Sequence, residues 1–361
     1  MLTDERLTGC DFSPNQVMIM TSQVKRWNNM GYFLGAYAAS ANVSGWDAQL
    51  EADYYRGLAG LAEVKGLEHP FLGQLHQHDD AWFLQHLAPH WDYVFTTIPG
   101  VMNALATQPG FGLASTDPAG RQAALDFMQA ARQAILKLNQ HLGRQAVKAI
   151  MLHTAPARDK VAGSAACFMA SMQQLLSWDW QGAQLQVEHC DAYLPPQLPS
   201  KGFLSLSDEL AVLSQLKQQG AAPVGVVINW GRSVFEGRDP AAAIAHIQAA
   251  KDAGLLAGLM FSGVSGEDSA YGAWRDSHQP IRNAQAPELG SACSWLTEQQ
   301  VGAALKAASP VEHLSVLGLK IGVRPVTATV AERLTLLQAQ LQILTQQQAL
   351  ISSISPVNGS I

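Results

Sequence analysis

Residues Gln184 to Ala192, "QLQVEHCDA", run as an alternating strand through Leu185 and Val187 and then meet Glu188, His189 and Asp191 within four positions. A period of two marks a β-strand, and the polar residues mark its end. Strict alternation sends Glu188 and His189 to opposite faces. We place Glu188 inward and turn His189 toward a helix layer or a neighbouring loop. Three roles are open to such a cluster: metal ligands, acid–base groups, or ordinary polar residues finishing a strand. What surrounds the strand decides among them.

Seven more β-rich runs flank it: "GYFLGAY" from Gly31, "EVKGLEHPF" from Glu63, "DYVFTTIPG" from Asp92, "AVKAIMLHTAP" from Ala146, "VGVVINWGRS" from Val224, "LLAGLMFSG" from Leu255 and "SVLGLKIGV" from Ser315. Most are nearly continuous apolar runs, as expected of strands covered on both faces by helices. Helical patterns lie between them. Leu50, Tyr54, Leu58 and Leu61 share one face, and Asp239-Pro240 offers a cap with proline at the first helical position, with Gly254 following that helix. Thr329 and Glu332 have capping-box spacing, and Ser207 and Thr297 are further caps. Eight β-then-α units predict an α/β fold, a closed (β/α)8 TIM barrel over residues 30–350. A doubly wound open sheet ranks behind it, because no GxGxxG follows the first strand. Residues 1–29 read as an N-terminal extension, possible non-native start included, and 351–361 as a flexible tail. The long connection at 267–295, after the seventh strand, carries Tyr271, Trp274 and His278 and reads as an ordered lid.

Of the 361 residues 48% are hydrophobic and 14% charged, with a net charge of −6. A large core is therefore available, and the balance gives no footprint for nucleic acid or an anionic membrane. The four cysteines form no CxxC pair, which points to a reducing compartment. Neither a signal peptide nor a membrane-spanning run stands out, so cytoplasmic is the expected location.

In a TIM barrel the active site lies at the C-terminal ends of the strands. The runs then nominate Glu68, His69 and Pro70 from strand two, His153 from strand four, Glu188, His189 and Asp191 from strand five, Asn229, Trp230 and Arg232 after strand six, Ser262 from strand seven, and Lys320 and Arg324 from strand eight. Each has an ordinary reading as a solvated or hydrogen-bonded loop residue. Glu188 is favoured as functional because it stands directly at the mouth. Lys320, inside an apolar strand, either finds a carboxylate such as Glu188 or reaches water. Arg232 either pairs with Glu236 or Asp239 at the surface or grips a substrate carboxylate, phosphate or hydroxyl pair. Asp191 either fixes the His189 tautomer or caps a turn. Asp276 and His278, two residues apart in the lid, are a ligand pair, a proton-transfer pair or a polar turn.

The eight-unit layout with "GLEHPF", "VEHCDA" and "VGVVINWGRS" resembles the xylose isomerase-like TIM-barrel superfamily of sugar isomerases and epimerases. More narrowly, "INWGRS", "GLLAGLMFSG" and "DSHQP" resemble an uncharacterised bacterial family within it, a domain of unknown function. The resemblance implies a divalent metal (Mn, Mg or Zn) held by carboxylates and His from late strands, with a small sugar, sugar acid or sugar phosphate as substrate. Glu188 matches the fifth-strand ligand. The sixth-strand Asp and His appear here as Asn229 and Arg232, the final Glu as Lys320, and Ser262 stands where a His is expected. The usual four-ligand set is therefore not intact, since protonated Arg232 and Lys320 cannot coordinate a cation. Two ways out remain: a shifted metal site drawn from Glu188, His189, Asp191, Asp276 and His278, or a metal-free site in which Lys320 and Arg232 stabilise an enediolate.

The expected function is sugar or sugar-acid isomerisation or epimerisation. Glu188 would transfer the proton with His69 or His153 as its complement and Lys320 and Arg232 as electrostatic partners. Glu68, Asn229, Trp230, Arg232 and Trp274 would bind the sugar. Alternatives are a lyase, aldolase or hydrolase using Lys320, or a non-catalytic sugar-binding barrel. A homo-oligomer is compatible with the sequence.

Overall fold

The structure, a computed structural model, describes residues 31–221 and 223–354. The segment before Gly31 and the last seven residues, on which the extension and most of the expected tail fall, lie outside the described residues. Eight parallel strands close into a barrel in sequence order: β1 Tyr32–Leu34, β2 Val64–Pro70, β3 Asp92–Thr96, β4 Val147–Leu152, β5 Gln184–His189, β6 Val224–Asn229, β7 Leu256–Phe261 and β8 Val316–Leu319. Each expected run is a strand.

Alternation divides every strand into an inner and an outer face. Phe33, Val94, Ala149, Met151, Val227, Met260 and Val316 fill the barrel interior as one buried cluster. Leu67, Val187, Ile228 and Leu319 belong instead to the larger core between the strands and the helices. Counting on from the inner set, the next inward positions toward the C-terminal rim are Gly35, His153, Asn229, Ser262 and Lys320. By the same parity Glu68 and Glu188 face inward, and His69 and His189 face outward. A packed apolar plug thus supports a polar layer.

The helices are α1 Ala48–Leu58, α2 Asp80–His86, α3 Ile98–Thr107, α4 Pro118–Leu142, α5 Ala165–Leu176, α6 Leu206–Gln218, α7 Trp230–Gly237, α8 Pro240–Asp252, α9 Glu298–Ala308 and α10 Val330–Ile354. Asp239 caps α8 by accepting from Ala241 N, and Gly254 takes the left-handed conformation just past its end (φ +64°). Thr329 and Glu332 form the reciprocal capping box that starts α10. The α6 cap is Ser205, which accepts from Asp208 N, two residues before the expected Ser207. α10 runs to Ile354, past the expected domain end at residue 350.

The connection after β7 is an ordered lid. Gly263 and Gln279 exchange backbone hydrogen bonds of 2.8 and 2.9 Å. Ile281 is fully buried, and its backbone N–H and C=O are both held by the Gln340 side chain of α10.

Candidate active site

Glu188 is the centre of the polar layer. Its Oε2 lies 3.0 Å from His153 Nε2 and 2.8 Å from Arg232 Nη1. Its Oε1 accepts from Asn229 Nδ2 at 3.1 Å and lies 3.4 Å from Lys320 Nζ. Burial by itself favours the neutral acid. The Arg232 and Lys320 charges and the His153 hydrogen bond outweigh it and hold the Glu188 carboxyl well below the usual range.

Arg232 reaches this place from the first turn of α7, not from a loop, and it pairs with neither Glu236 nor Asp239. Asn229 ends β6 and caps α7: its Oδ1 accepts from Arg232 N at 3.4 Å while its amide donates to Glu188. One side chain therefore fixes both the helix and the carboxylate. Burial lowers the His153 pKa to about 4, so the ring is neutral. With Nε2–H donated to Glu188, Nδ1 is the ring's acceptor; it lies 2.9 Å from Thr97 Oγ1, whose one hydroxyl proton is shared with the Met151 carbonyl at 3.0 Å.

Glu68 is the second buried carboxylate, on the opposite side of Lys320. Lys320 Nζ lies 2.5 Å from Glu68 Oε1, an ion contact without hydrogen-bond alignment, and Glu68 Oε2 has no partner among the described residues. Burial pushes Glu68 up to about 7 against the pull of Lys320, and the charge of Glu188 adds to the rise. Burial opposes the Lys320 charge, but Glu188 and Glu68 raise its pKa far above the ordinary lysine value. Tyr37 closes the group, its ring centroid 5.6 Å from Lys320 Nζ.

Glu68 and Tyr37 line the inner wall of a cavity of about 440 Å³ that opens between the β1 and β2 loops. Trp46, Tyr54 and Tyr55 supply its aromatic walls, and Glu51, His76 and His78 its outer polar edge. On the other side the lid closes over the network. Asp276 Oδ2 lies 3.4 Å from Arg232 Nε and 3.2 Å from Lys201 Nζ, and His278 Nδ1 is 2.9 Å from Ser262 Oγ.

Several expected site residues lie elsewhere. His69 lines the cavity's back wall, but its Nε2 meets Leu75 O at 2.5 Å and its ring packs 4.7 Å from Phe83, so it is not the complement of Glu188. Trp274 stacks under the Arg238 guanidinium at 4.1 Å on the outer side of the lid, and buried Trp230 does not line the cavity either. Arg324 sits over Tyr271. Asp191 accepts backbone N–H groups from Ser200 and Lys201 and so shapes a loop.

His189 is turned outward, as alternation requires, between Glu209 of α6 (Nδ1 to Oε2, 2.8 Å) and Glu236 of α7 (Nε2 to Oε2, 3.2 Å). Burial opposes its charge, yet the two carboxylates raise its pKa to about 10. The shifted metal set of Glu188, His189, Asp191, Asp276 and His278 therefore does not assemble: its members serve three separate networks.

Nor do the residues at the mouth fit a divalent ion in the usual place. Lys320 Nζ occupies the space between Glu68 and Glu188, Asn229 spends its carbonyl oxygen on α7, and Arg232 covers the far oxygen of Glu188. A divalent ion about 4 Å from one ammonium would be repelled by about 8 kcal/mol at an effective dielectric near 20. Tyr37, Thr97 and Lys201 complete the site without any local sequence signal.

A closed ring of eight parallel strands with helices between them is a TIM barrel, and its fold is similar to that of xylose isomerase-like proteins. A xylose isomerase domain protein from Alicyclobacillus acidocaldarius superposes with a TM-score of 0.51 at 12% identity, over 88% of this chain and 99% of that one. The 3-keto-D-glucoside 4-epimerase of E. coli gives 0.50 at 10% identity, over 90% and 99%. These likenesses establish the fold. The chain belongs to the family described as "Domain of unknown function (DUF4862)", which matches residues 33–336. An uncharacterized protein of Salmonella typhimurium (strain LT2) is 36% identical over 314 residues, covering 86% of this chain and 96% of that protein.

Proposed function

We propose that the protein is a sugar or sugar-acid isomerase whose proton-transferring group is Glu68 and whose electrostatic stabiliser is Lys320. The observation that carries this reading is the contrast in donors at the mouth: four reach Glu188, whereas Glu68 has one ammonium beside it and no aligned hydrogen bond. A general base works best when its pKa lies near the operating pH. Glu68, at about 7, meets that condition and borders the cavity, whereas Glu188 is locked in its ionised form by four donors. Its weak basicity suits it to holding Lys320 and Arg232 in place.

In this scheme Glu68 takes the proton from the carbon beside the substrate carbonyl. The electron pair moves into the enediolate, whose oxygen is stabilised by the Lys320 ammonium. Glu68 then returns the proton to the neighbouring carbon while the hydroxyl proton passes from one enediolate oxygen to the other, so that the carbonyl re-forms on the carbon that lost its hydrogen. A single poised carboxylate favours this transfer along one face of the sugar over epimerisation, which needs a second base on the opposite face. Lys320 is a poor Schiff-base nucleophile, because such lysines need a lowered pKa and this one is raised.

The test is incorporation of solvent deuterium into a panel of aldoses, ketoses, sugar acids and their phosphates. Glu68→Gln is expected to lose exchange by about 10²–10⁴-fold, and Lys320→Met by about 10²–10³-fold. Undiminished exchange in Glu68→Gln would remove that residue from the role, and saturable binding without exchange on the whole panel would make the barrel a binding protein.

A further inference from the structure

The structure assigns a second site to the outside of the barrel: we propose that His189, Glu236 and His246 bind one zinc ion between β5, α7 and α8. Among the described residues this is the one grouping of three or more His, Cys, Asp or Glu donor atoms that all lie within 4.8 Å of one another. His189 Nε2 is 3.2 Å from Glu236 Oε2, and His246 Nε2 is 3.6 Å from Glu236 Oε1. Zinc bonds of about 2.0–2.1 Å in a tetrahedron separate donors by about 3.3 Å, so small side-chain adjustments close the set.

The support around these donors is what distinguishes the group from an accidental cluster. Both rings present Nε2 to the common point, and both have Nδ1 already held: His189 by Glu209 Oε2 at 2.8 Å, His246 by Ser233 Oγ at 3.0 Å. Metal-bound imidazoles characteristically have the second nitrogen fixed in this way. Glu209 is itself held by Thr154 Oγ1 at 2.7 Å, and Glu236 accepts from Ala192 N at 2.7 Å.

Charge supplies a separate argument. Glu209 and Glu236 bring two negative charges, and among the described residues neither pairs with a lysine or arginine. One imidazolium balances one of them. A divalent ion with two neutral rings balances both. Two imidazoles and one carboxylate suit zinc better than magnesium or calcium, which prefer all-oxygen sets. The side chains of Glu236 and His246 retain 10% and 17% exposure, which leaves a way in from solvent and room for a water as fourth ligand. The ion would pin α7, the helix that carries Arg232, to β5, which carries Glu188.

The experiment uses the full chain, stripped with a chelator and titrated with Zn²⁺. Bound metal is counted by mass spectrometry, Co²⁺ is substituted for its visible spectrum, and thermal unfolding is followed. The expected result is one equivalent of zinc, a tetrahedral Co²⁺ spectrum and a higher Tm with metal. His246→Ala, at a partly exposed helix position, should fold, lose the Co²⁺ spectrum and lose the Tm response. Ser233→Ala should weaken zinc binding by about 10-fold to 100-fold. Zinc retained in both His246→Ala and Glu236→Gln would place the metal elsewhere, and no uptake by the native chain at micromolar zinc would leave His189 a plain imidazolium bridge. Either result overturns the proposal.

Discussion

Glu68 and Glu188 stand at the rim ends of β2 and β5, both inward and both essentially without solvent exposure, yet their halves of the mouth differ. The β5 half is saturated: His153, Asn229, Arg232 and Lys320 converge on two oxygens. The β2 half is under-supplied, with one shared ammonium, one orphan oxygen and an adjoining cavity. Equal burial thus goes with opposite pKa shifts, because the number of donors reaching each carboxylate sets the balance against desolvation. On the proposed reading the saturated half holds geometry and the under-supplied half changes protonation.

The largest effect that can break this comparison is on stability. Glu188→Gln leaves Arg232 and Lys320 buried with reduced compensation, and it is expected to cost about 3–5 kcal/mol, read by urea unfolding. A loss under about 1 kcal/mol would mean that the saturated half is not structural. Gly35→Ala comes next. The added methyl would lie 2.6 Å from Glu68 Oε2 and 3.0 Å from Lys320 Cγ. Overpacking of this kind costs about 1–3 kcal/mol and should disturb Glu68 while leaving the spectrum of His153 unchanged.

Glu68→Gln should be milder for folding than Glu188→Gln, because Glu188 still balances the Lys320 ammonium after its contact with Glu68 is lost, and a raised pKa shows the Glu68 charge to be poorly supported. Its effect belongs to exchange. For the native chain the sign follows from the direction of the shift: Glu68 is raised, so its basic form dominates only above about 7. Exchange should rise with pH through that value and fall about tenfold per unit below it. A rate flat from weakly acid to weakly alkaline pH would remove the titrating base.

How much of this was legible in the residues alone follows from the range of each signal. The eight strands were, because apolar runs and caps are local. The opposite facing of Glu188 and His189 was too, since a period of two needs no tertiary information. Asn229, Arg232 and Lys320 were nominated as strand-end residues, and they do meet Glu188. Alternation could not show which carboxylate is poised, since that depends on donors from β4, β6, α7 and β8 arriving together. Its place at the mouth favours Glu188 for the proton transfer; the donors that gather there lower its pKa, while burial raises that of Glu68. The position after the sixth strand puts Arg232 in a strand-to-helix loop, whereas Asn229 caps a helix that begins at once. Glu209, Glu236 and His246 sit on separate helices, and only the folded chain brings them to His189. Trp274 suggested a sugar platform by its type, but Arg238 occupies its face.

The central assertion is that, of the two buried glutamates at the mouth, Glu68 titrates near neutrality and Glu188 does not, and this can be read without knowing the substrate. Carbon-13 NMR of protein labelled at the glutamate carboxyl, followed against pH, reports each group directly. The account predicts one resonance titrating near 7 that disappears in Glu68→Gln and persists in Glu188→Gln. A near-neutral resonance lost in Glu188→Gln instead, or no glutamate titrating in that range, would contradict it.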